Sequence, residues 1–420
     1  MNNVRVPGAS RPMTTAEKYY AFLDRTWPTH PMMAADLDRC FPVEWVEDRW
    51  RAFCARRIYT RLMPTGDLTI VDGGTARFDF SGKVTPTDRW PDEVVREADT
   101  ARQLERVIGC LYLASPSEGV SRLVVGGHHS VLDGRGGVEE LQRFVRFLDG
   151  QDVQTQDQIS LTPSSGSRFA WETDRSVLLD VLGKMRARNE ELGELHPLDW
   201  PVGDSTRRSR LAEVPFGTHE SSALVTRARA EGARPFATVA GACLLAVARA
   251  VCAVERGTFQ LNVPADRGAR ATGRDVPPAM NVGVVSRRYT VAVDDRWELV
   301  REIASTVRAA LEHGEAELFF FLSRLENVKD LSSGVDRVAR AIVAAPPAVS
   351  VTNVGVFDHE SDPAWLRRLW TYLAPTPNQV ISYSCLSYRG RVSSTLWTDD
   401  LRVTPGRAES LVDEYRGLLL

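Results

Sequence analysis

Within seven consecutive residues, His128-His129-Ser130-Val131-Leu132-Asp133-Gly134, the chain places two imidazoles, a carboxylate and a glycine. An imidazole has an unperturbed pKa near neutrality, so a histidine facing a cleft can take a proton from a hydroxyl or amine and return it to a leaving group. Adjacent side chains of extended backbone leave on opposite faces, so both rings cannot reach one ligand without distortion. One is expected inside as structure, the other in a cleft as a base. Asp133 can turn back to brace the loop, and Gly134 permits a backbone angle or an approach that a side chain would block. A metal site on His128, His129 and Asp133 would need further ligands. No HExxH or second cluster accompanies them, so no metal is expected.

The elements that must hold this loop are legible on both sides of it. Residues 122–127 form a short apolar run ending in glycines, and residues 137–145 repeat at helical spacing, so the loop joins a strand to a helix. Upstream, residues 32–41 read as a strand, 43–57 as an amphipathic helix, 68–71 and 76–80 as short strands, 91–102 as a helix and 107–114 as a strand. Residues 150–168 are rich in Gln, Asp, Ser, Thr and Gly and read as a surface linker, which divides the chain into 1–165 and 166–420. Beyond it, 177–192, 221–232, 235–254, 297–313 and 407–420 read as helices, and 258–263, 282–293, 348–356 and 380–397 as sheet. The class is α/β, with many non-local strand pairs.

Composition narrows the function. With 420 residues, 43% hydrophobic and 25% charged, the chain can build two medium cores. A net charge of -3 gives no electrostatic reason to expect nucleic acid or a membrane surface. The six cysteines are scattered without a CxxC pair and read as reduced thiols. Residues 1–18 lack the apolar core of a signal peptide, and the apolar stretch 236–251 is interrupted by Arg249 and reads as a buried helix; a cytoplasmic protein with no membrane insertion is expected. His30, His196, His219, His313 and His359 stand singly and read as surface or turn histidines. Gly73-Gly74 and Gly136-Gly137 read as turn glycines, Phe319-Phe320-Phe321 as core, and neither a GxSxG elbow nor a Walker loop is present.

The loop resembles the HHxxxDG signature of the superfamily of chloramphenicol acetyltransferase, peptide-synthetase condensation domains and stand-alone polyketide-associated acyltransferases. The resemblance implies two chloramphenicol-acetyltransferase-like subdomains, each a mixed sheet flanked by helices, with a channel between them. It implies that His129 is the general base, that His128, Asp133 and Gly134 shape the site, and that an acyl group passes from a thioester to a hydroxyl or amine of a specialised metabolite without an acyl-enzyme. Leu261-Asn262-Val263-Pro264-Ala265-Asp266-Arg267, followed by Asn281-Val282-Gly283, is similar to a second family segment and assigns Arg267 as the ion-pair partner of Asp133. Val349 to Gly355 is similar to a third, which brings Thr352 and Asn353 near the base to steady an oxyanion.

No permanently bound cofactor is implied; acyl-CoA or acyl-phosphopantetheine is the co-substrate. Arg207, Arg208 and Arg210 form a basic run that is either a solvated face or a contact for the phosphates of that co-substrate. The partners are a small-molecule acceptor and, in one alternative, a carrier protein whose thioester a free-standing condensation enzyme would use to form an amide or ester. A catalytically silent binding module of the same fold is the other alternative. The motifs of synthetase-embedded condensation domains and the DFGWG of plant-type acyltransferases are missing, which favours a stand-alone enzyme.

Overall fold

A computed structural model describes residues 10–99, 108–152, 174–197, 207–266, 282–316, 318 and 325–420. The chain opens with β1 (Ser10–Pro12) and α1 (Thr15–Asp24), whose start is fixed by a capping box: Thr14 accepts from the Glu17 N–H while the Glu17 carboxylate accepts from Thr14. Then follow β2 (Met32–Leu37), α2 (Val43–Cys54), β3 (Leu62–Pro64), β4 (Thr69–Asp72), β5 (Phe78–Val84), α3 (Trp90–Ala98), β6 (Ile108–Ser115), β7 (Val120–Gly127) and α4 (Gly134–Leu148). After residue 173 come α5 (Arg175–Glu191), β8 (Ser209–Pro215), α6 (Thr218–Ala230), α7 (Pro235–Ala246), β9 (Arg256–Asp266), β10 (Val282–Ala292), α8 (Arg296–Glu312) and α9 (Leu331–Ala344). The chain closes with β11 (Ala348–Val356), β12 (Leu366–Tyr372), β13 (Gln379–Tyr388), β14 (Arg391–Asp399) and α10 (Pro405–Leu419).

Two mixed sheets carry the fold. The first has the order β12-β2-β7-β6-β5, the second β10-β9-β11-β13-β14-β8, and a small three-stranded sheet joins β1, β4 and β3. β2 and β6 are buried along their whole length, because both faces of the first sheet are covered, and their sequences are accordingly apolar on both sides. α4 lays Val138, Leu141, Phe144, Val145 and Leu148 on the core at helical spacing. α7 is buried from Ala237 to Ala246, as its apolar sequence requires.

The expected division at residue 165 lies outside the described residues. Residues up to 152 supply four strands of the first sheet and residues from 209 onward supply the second, with one exchange: β12 leaves the second half and pairs antiparallel with β2, Tyr372 opposite Met32. Sequence reading did not mark this strand. Nor did it mark α1, β8 or α9. The longer helix predicted over 235–254 ends instead in a π turn at Val247–Val251.

α1 sits on α9 through a contact that only glycine allows. A Cβ on Gly334 would lie 2.3 Å from Phe22 Cζ, and Phe22 is fully buried. Gly334→Ala should therefore lower stability by about 1–3 kcal/mol through overpacking. Gly183→Ala, where a Cβ meets nothing within 4 Å on an exposed helix face, should instead stabilise by about 0.5–1 kcal/mol. Urea denaturation of the two variants checks both signs.

Candidate active site

The loop from β7 to α4 turns back on itself: the His128 carbonyl accepts from Val131 and Leu132 N–H at 3.0 and 3.1 Å. Asp133 caps α4, its carboxylate accepting from Gly136 N–H at 2.8 Å. Both imidazoles are buried. His128 is completely enclosed and His129 is 5% exposed. Ser130 donates its N–H at 3.2 Å and brings its hydroxyl within 2.7 Å of His128 Nδ1, and Nε2 of that ring lies 3.3 Å from Asp24. His128 is thus held as the Nε2–H tautomer, a strut between α1 and the loop.

His129 has the opposite tautomer. Its Nδ1 donates to the Leu132 carbonyl at 3.1 Å, which leaves Nε2 with its lone pair. Burial pulls its pKa down to about 4, against the opposing pull of the nearby Asp133 carboxylate, so the ring is neutral at neutral pH.

α1 serves both rings at once. Tyr20 stacks on His129, ring centroids 3.8 Å apart at 32°, and Asp24, one helical turn later, faces His128 and His30. His30 Nε2 is 2.6 Å from Asp24 Oδ1, and the three side chains are at most 4% exposed. Burial would raise the Asp24 carboxyl, but hydrogen bonds from His128 and His30 outweigh it and hold the group well below the usual carboxylate range. A carboxylate at a helix C-terminus is otherwise disfavoured, which makes these partners necessary. Among the described residues no group of three or more His, Cys, Asp and Glu could hold a metal ion.

Tyr20 also lines a cavity of about 480 Å³ between the halves. Tyr19, Leu23 and Thr29 come to it from the first half, and β9, β10, β11, α9 and residues 373–379 from the second. On β11 the alternation of strand side chains puts Ser350, Thr352 and Val354 on one face. Ser350 lines the cavity, and Val354 is the neighbour that a Cβ on Gly134 would meet, at 3.6 Å. Thr352 lies between them, its hydroxyl buried without a partner.

Several expectations change. Gly134 is not required sterically, since 3.6 Å is ordinary van der Waals contact; the tighter position is Gly137, where a Cβ would stand 1.7 Å from Met33 Cε and the end of that methionine would have to move. Gly136 and Gly137 lie in the first turn of α4, not in a free turn. His30 is not a surface histidine but the second partner of Asp24, whereas His219, His313 and His359 are exposed. Asn353 is exposed and caps its own turn, its carbonyl accepting from Gly355 N–H at 3.0 Å. Arg207 and Arg210 are engaged by Asp99 and Asp400, and neither they nor Arg208 line the cavity. Arg267, Asn281 and Phe319-Phe320-Phe321 lie outside the described residues. Sequence reading missed Tyr20 and Asp24, although the Thr14-x-x-Glu17 capping box announced the helix that carries them.

By sequence, no family model and no curated protein matches the chain. By structure, it superposes on the EpoB NRPS cyclization-docking bidomain from Sorangium cellulosum with a TM-score of 0.66 at 15% identity, over 99% of this chain and 86% of that one. Polyketide synthase associated protein 5 from Mycobacterium tuberculosis gives 0.62 at 17% identity, over 98% of both chains. The first condensation domain of the CDA synthetase gives 0.64 at 13%, over 98% and 95%. The chain has the condensation-domain fold, the chloramphenicol-acetyltransferase-like one. Within the condensation-domain fold the two sheets belong to its two subdomains, and the cavity lies between them.

Asp24→Asn should cost on the order of 3 kcal/mol at pH 7, because it replaces the ionised acceptor that faces two buried imidazoles with a neutral amide. The Asp24 carboxyl titrates below its ordinary value near 4, so its stabilisation is full above that pH and is lost as the pH falls further. The gap between wild type and Asp24→Asn in urea denaturation should accordingly narrow from pH 7 to pH 3; a constant gap would mean that charge at Asp24 is immaterial.

Proposed function

We propose that the protein is an acyltransferase that moves an acyl group from a thioester to a hydroxyl or amine, with His129 as the general base. The observation that carries this is the His129 ring itself: neutral, with Nδ1 committed to the Leu132 carbonyl and Nε2 unprotonated, and stacked on Tyr20, which lines a cavity large enough for an acyl chain, although His129 is not itself among the lining residues. Nε2 takes the acceptor's proton as the acceptor oxygen or nitrogen bonds to the thioester carbonyl carbon. The tetrahedral intermediate then expels the thiolate as its C–S bond breaks, and the imidazolium returns the proton to sulfur. Holding both substrates in one cavity supplies the orientation that removes the need for an acyl-enzyme.

The alternatives for a covalent step fit poorly. Ser130, His128 and Asp24 line up as a hydroxyl, an imidazole and a carboxylate, but Ser130 is completely buried and its hydroxyl is spent on the strut. Burial pushes the thiols of Cys54, Cys243 and Cys385 up, to about 12 for Cys385, which suppresses the thiolate. Thr352, with its unpartnered hydroxyl on the β11 face that runs from the cavity to Gly134, is the side chain suited to meet the oxyanion. The donor is proposed to be acyl-CoA. The likeness to a cyclization-docking bidomain and to condensation domains supports a second reading, a carrier-protein thioester, and the same acyl group offered on coenzyme A and on a carrier separates the two.

His129→Ala should lower thiol release by about two to four orders of magnitude with little change in folding. His128→Ala should do the reverse, losing stability first. Activity of His129→Ala within a few-fold of wild type would remove the base from the scheme. The pairing of Asp133 with Arg267 is open to a double-mutant cycle on stability with Asp133→Asn and Arg267→Ala, where contact predicts coupling of about 0.5–3 kcal/mol and additivity denies it.

A further inference from the structure

A sheet face covered by another layer is ordinarily apolar, because buried polar groups need partners. The second sheet departs from this where it faces the cavity. On β9, Phe259, Leu261 and Val263 point into the second core, and Gln260 and Asn262 point the other way, into the cavity. The register sets Ser286 of β10 opposite Asn262, Asn262 beside Ser350 of β11, and Ser350 beside Ser382 of β13. A polar row therefore crosses four adjacent strands.

The row is only partly satisfied by itself. Gln260 Nε2 donates to Ser286 Oγ at 2.7 Å, and Ser286 Oγ donates to Asn262 Oδ1 at 2.7 Å. Among the described residues no protein group takes up the side-chain amide N–H groups of Asn262 or the side-chain carbonyl of Gln260. The Ser382 hydroxyl is buried without a partner, and so is that of Thr29, which lines the cavity from the first half. Leu23, Leu318, Ile342 and Leu373 supply an apolar edge. The charged lining residues are turned to protein groups: Glu315 is forked by Arg287, and Arg288 donates to the carbonyls of Gly193 and Asn189 at 2.9 and 3.4 Å, although its Nε stays buried without a partner.

We infer that the cavity takes an uncharged chain bearing hydroxyl or amide groups along one edge and hydrocarbon along the other, and that Gln260, Asn262, Ser286 and Ser350 set this preference. A site that presents hydrogen-bonding groups rejects the analogue lacking them, since the row would be left unpaired. The inference rests on the cavity being the substrate site of the proposed transfer. The chain belongs either to the acyl donor or to the acceptor, which share this chemistry.

The test is calorimetric binding to full-length His129→Ala protein, which holds substrates without turnover. One arm compares the octanoyl N-acetylcysteamine thioester with its 3-hydroxy and 5-hydroxy analogues; the other compares 1-octanol with 1,3-octanediol. In at least one arm a hydroxylated probe should bind about tenfold more tightly. Adding Asn262→Leu and Ser286→Ala should bring that ratio to within about twofold, the loss of one net hydrogen bond. If those changes unfold the protein, the ratio in the intact row decides alone. Equal binding in both arms overturns the inference, as does tighter binding of the 8-carboxyoctanoyl thioester, which would give specificity to Arg288. Because binding is read without chemistry, a hydroxyl preference in a protein that releases no thiol would end the transferase reading and keep the row, and thiol release without the preference would do the opposite.

Discussion

A carboxylate withdrawn from water must be paired, and Asp24 is paired with His128 and His30. That pairing orders the site outward from itself. It fixes the tautomer of His128, which then accepts from Ser130 and sets the backbone immediately after His129. It anchors the end of α1, so Tyr20, one turn earlier, is laid against the His129 ring. α1 in turn rests by Phe22 on Gly334 of α9, an element from the far half of the chain. The geometry of the His129 ring is therefore a property of both subdomains together, although the motif belongs to one.

A second buried charge network ties the halves behind the loop. Arg122, on the strand that leads to the motif, puts Nε on Asp36 at 2.6 Å and forks Glu213 of β8, at 2.5 and 3.1 Å. Trp370 donates to Asp36 and Tyr372 to Glu213, each at 2.7 Å, both from β12. Trp90 and Trp370 lie over the guanidinium. Every carboxylate in this network has a donor, so it is a fixed joint between the two halves.

The sequence reading found the loop, its strand and its helix because the glycines, the apolar run and the helical repeat all agree locally. The strand at 348–356 and most other elements were legible for the same reason. β12 was not, because Leu366-Arg367-Arg368-Leu369 breaks the alternation and its partner β2 is some three hundred residues away in sequence. His30 was assigned to the surface since nothing local distinguishes a histidine between Thr29 and Pro31; only folding brings it to Asp24. The close approach at Gly137 was not legible because its neighbour there is Met33, again non-local in sequence. Patterns report local geometry well, whereas the pairing of Asp24 and the polar row across four strands exist only after non-local strands meet.

The most direct measurement is the pH dependence of kcat/KM for thiol release by the wild-type protein in the presence of an acceptor, which reports the base in the free enzyme. His129 must be unprotonated to act, and burial holds it at about 4, so the rate should stay level from pH 8 down to about 5 and fall tenfold per unit only below about 4. A limb near 6.5, the value of an ordinary exposed histidine, or no thiol release at any pH, would contradict the account.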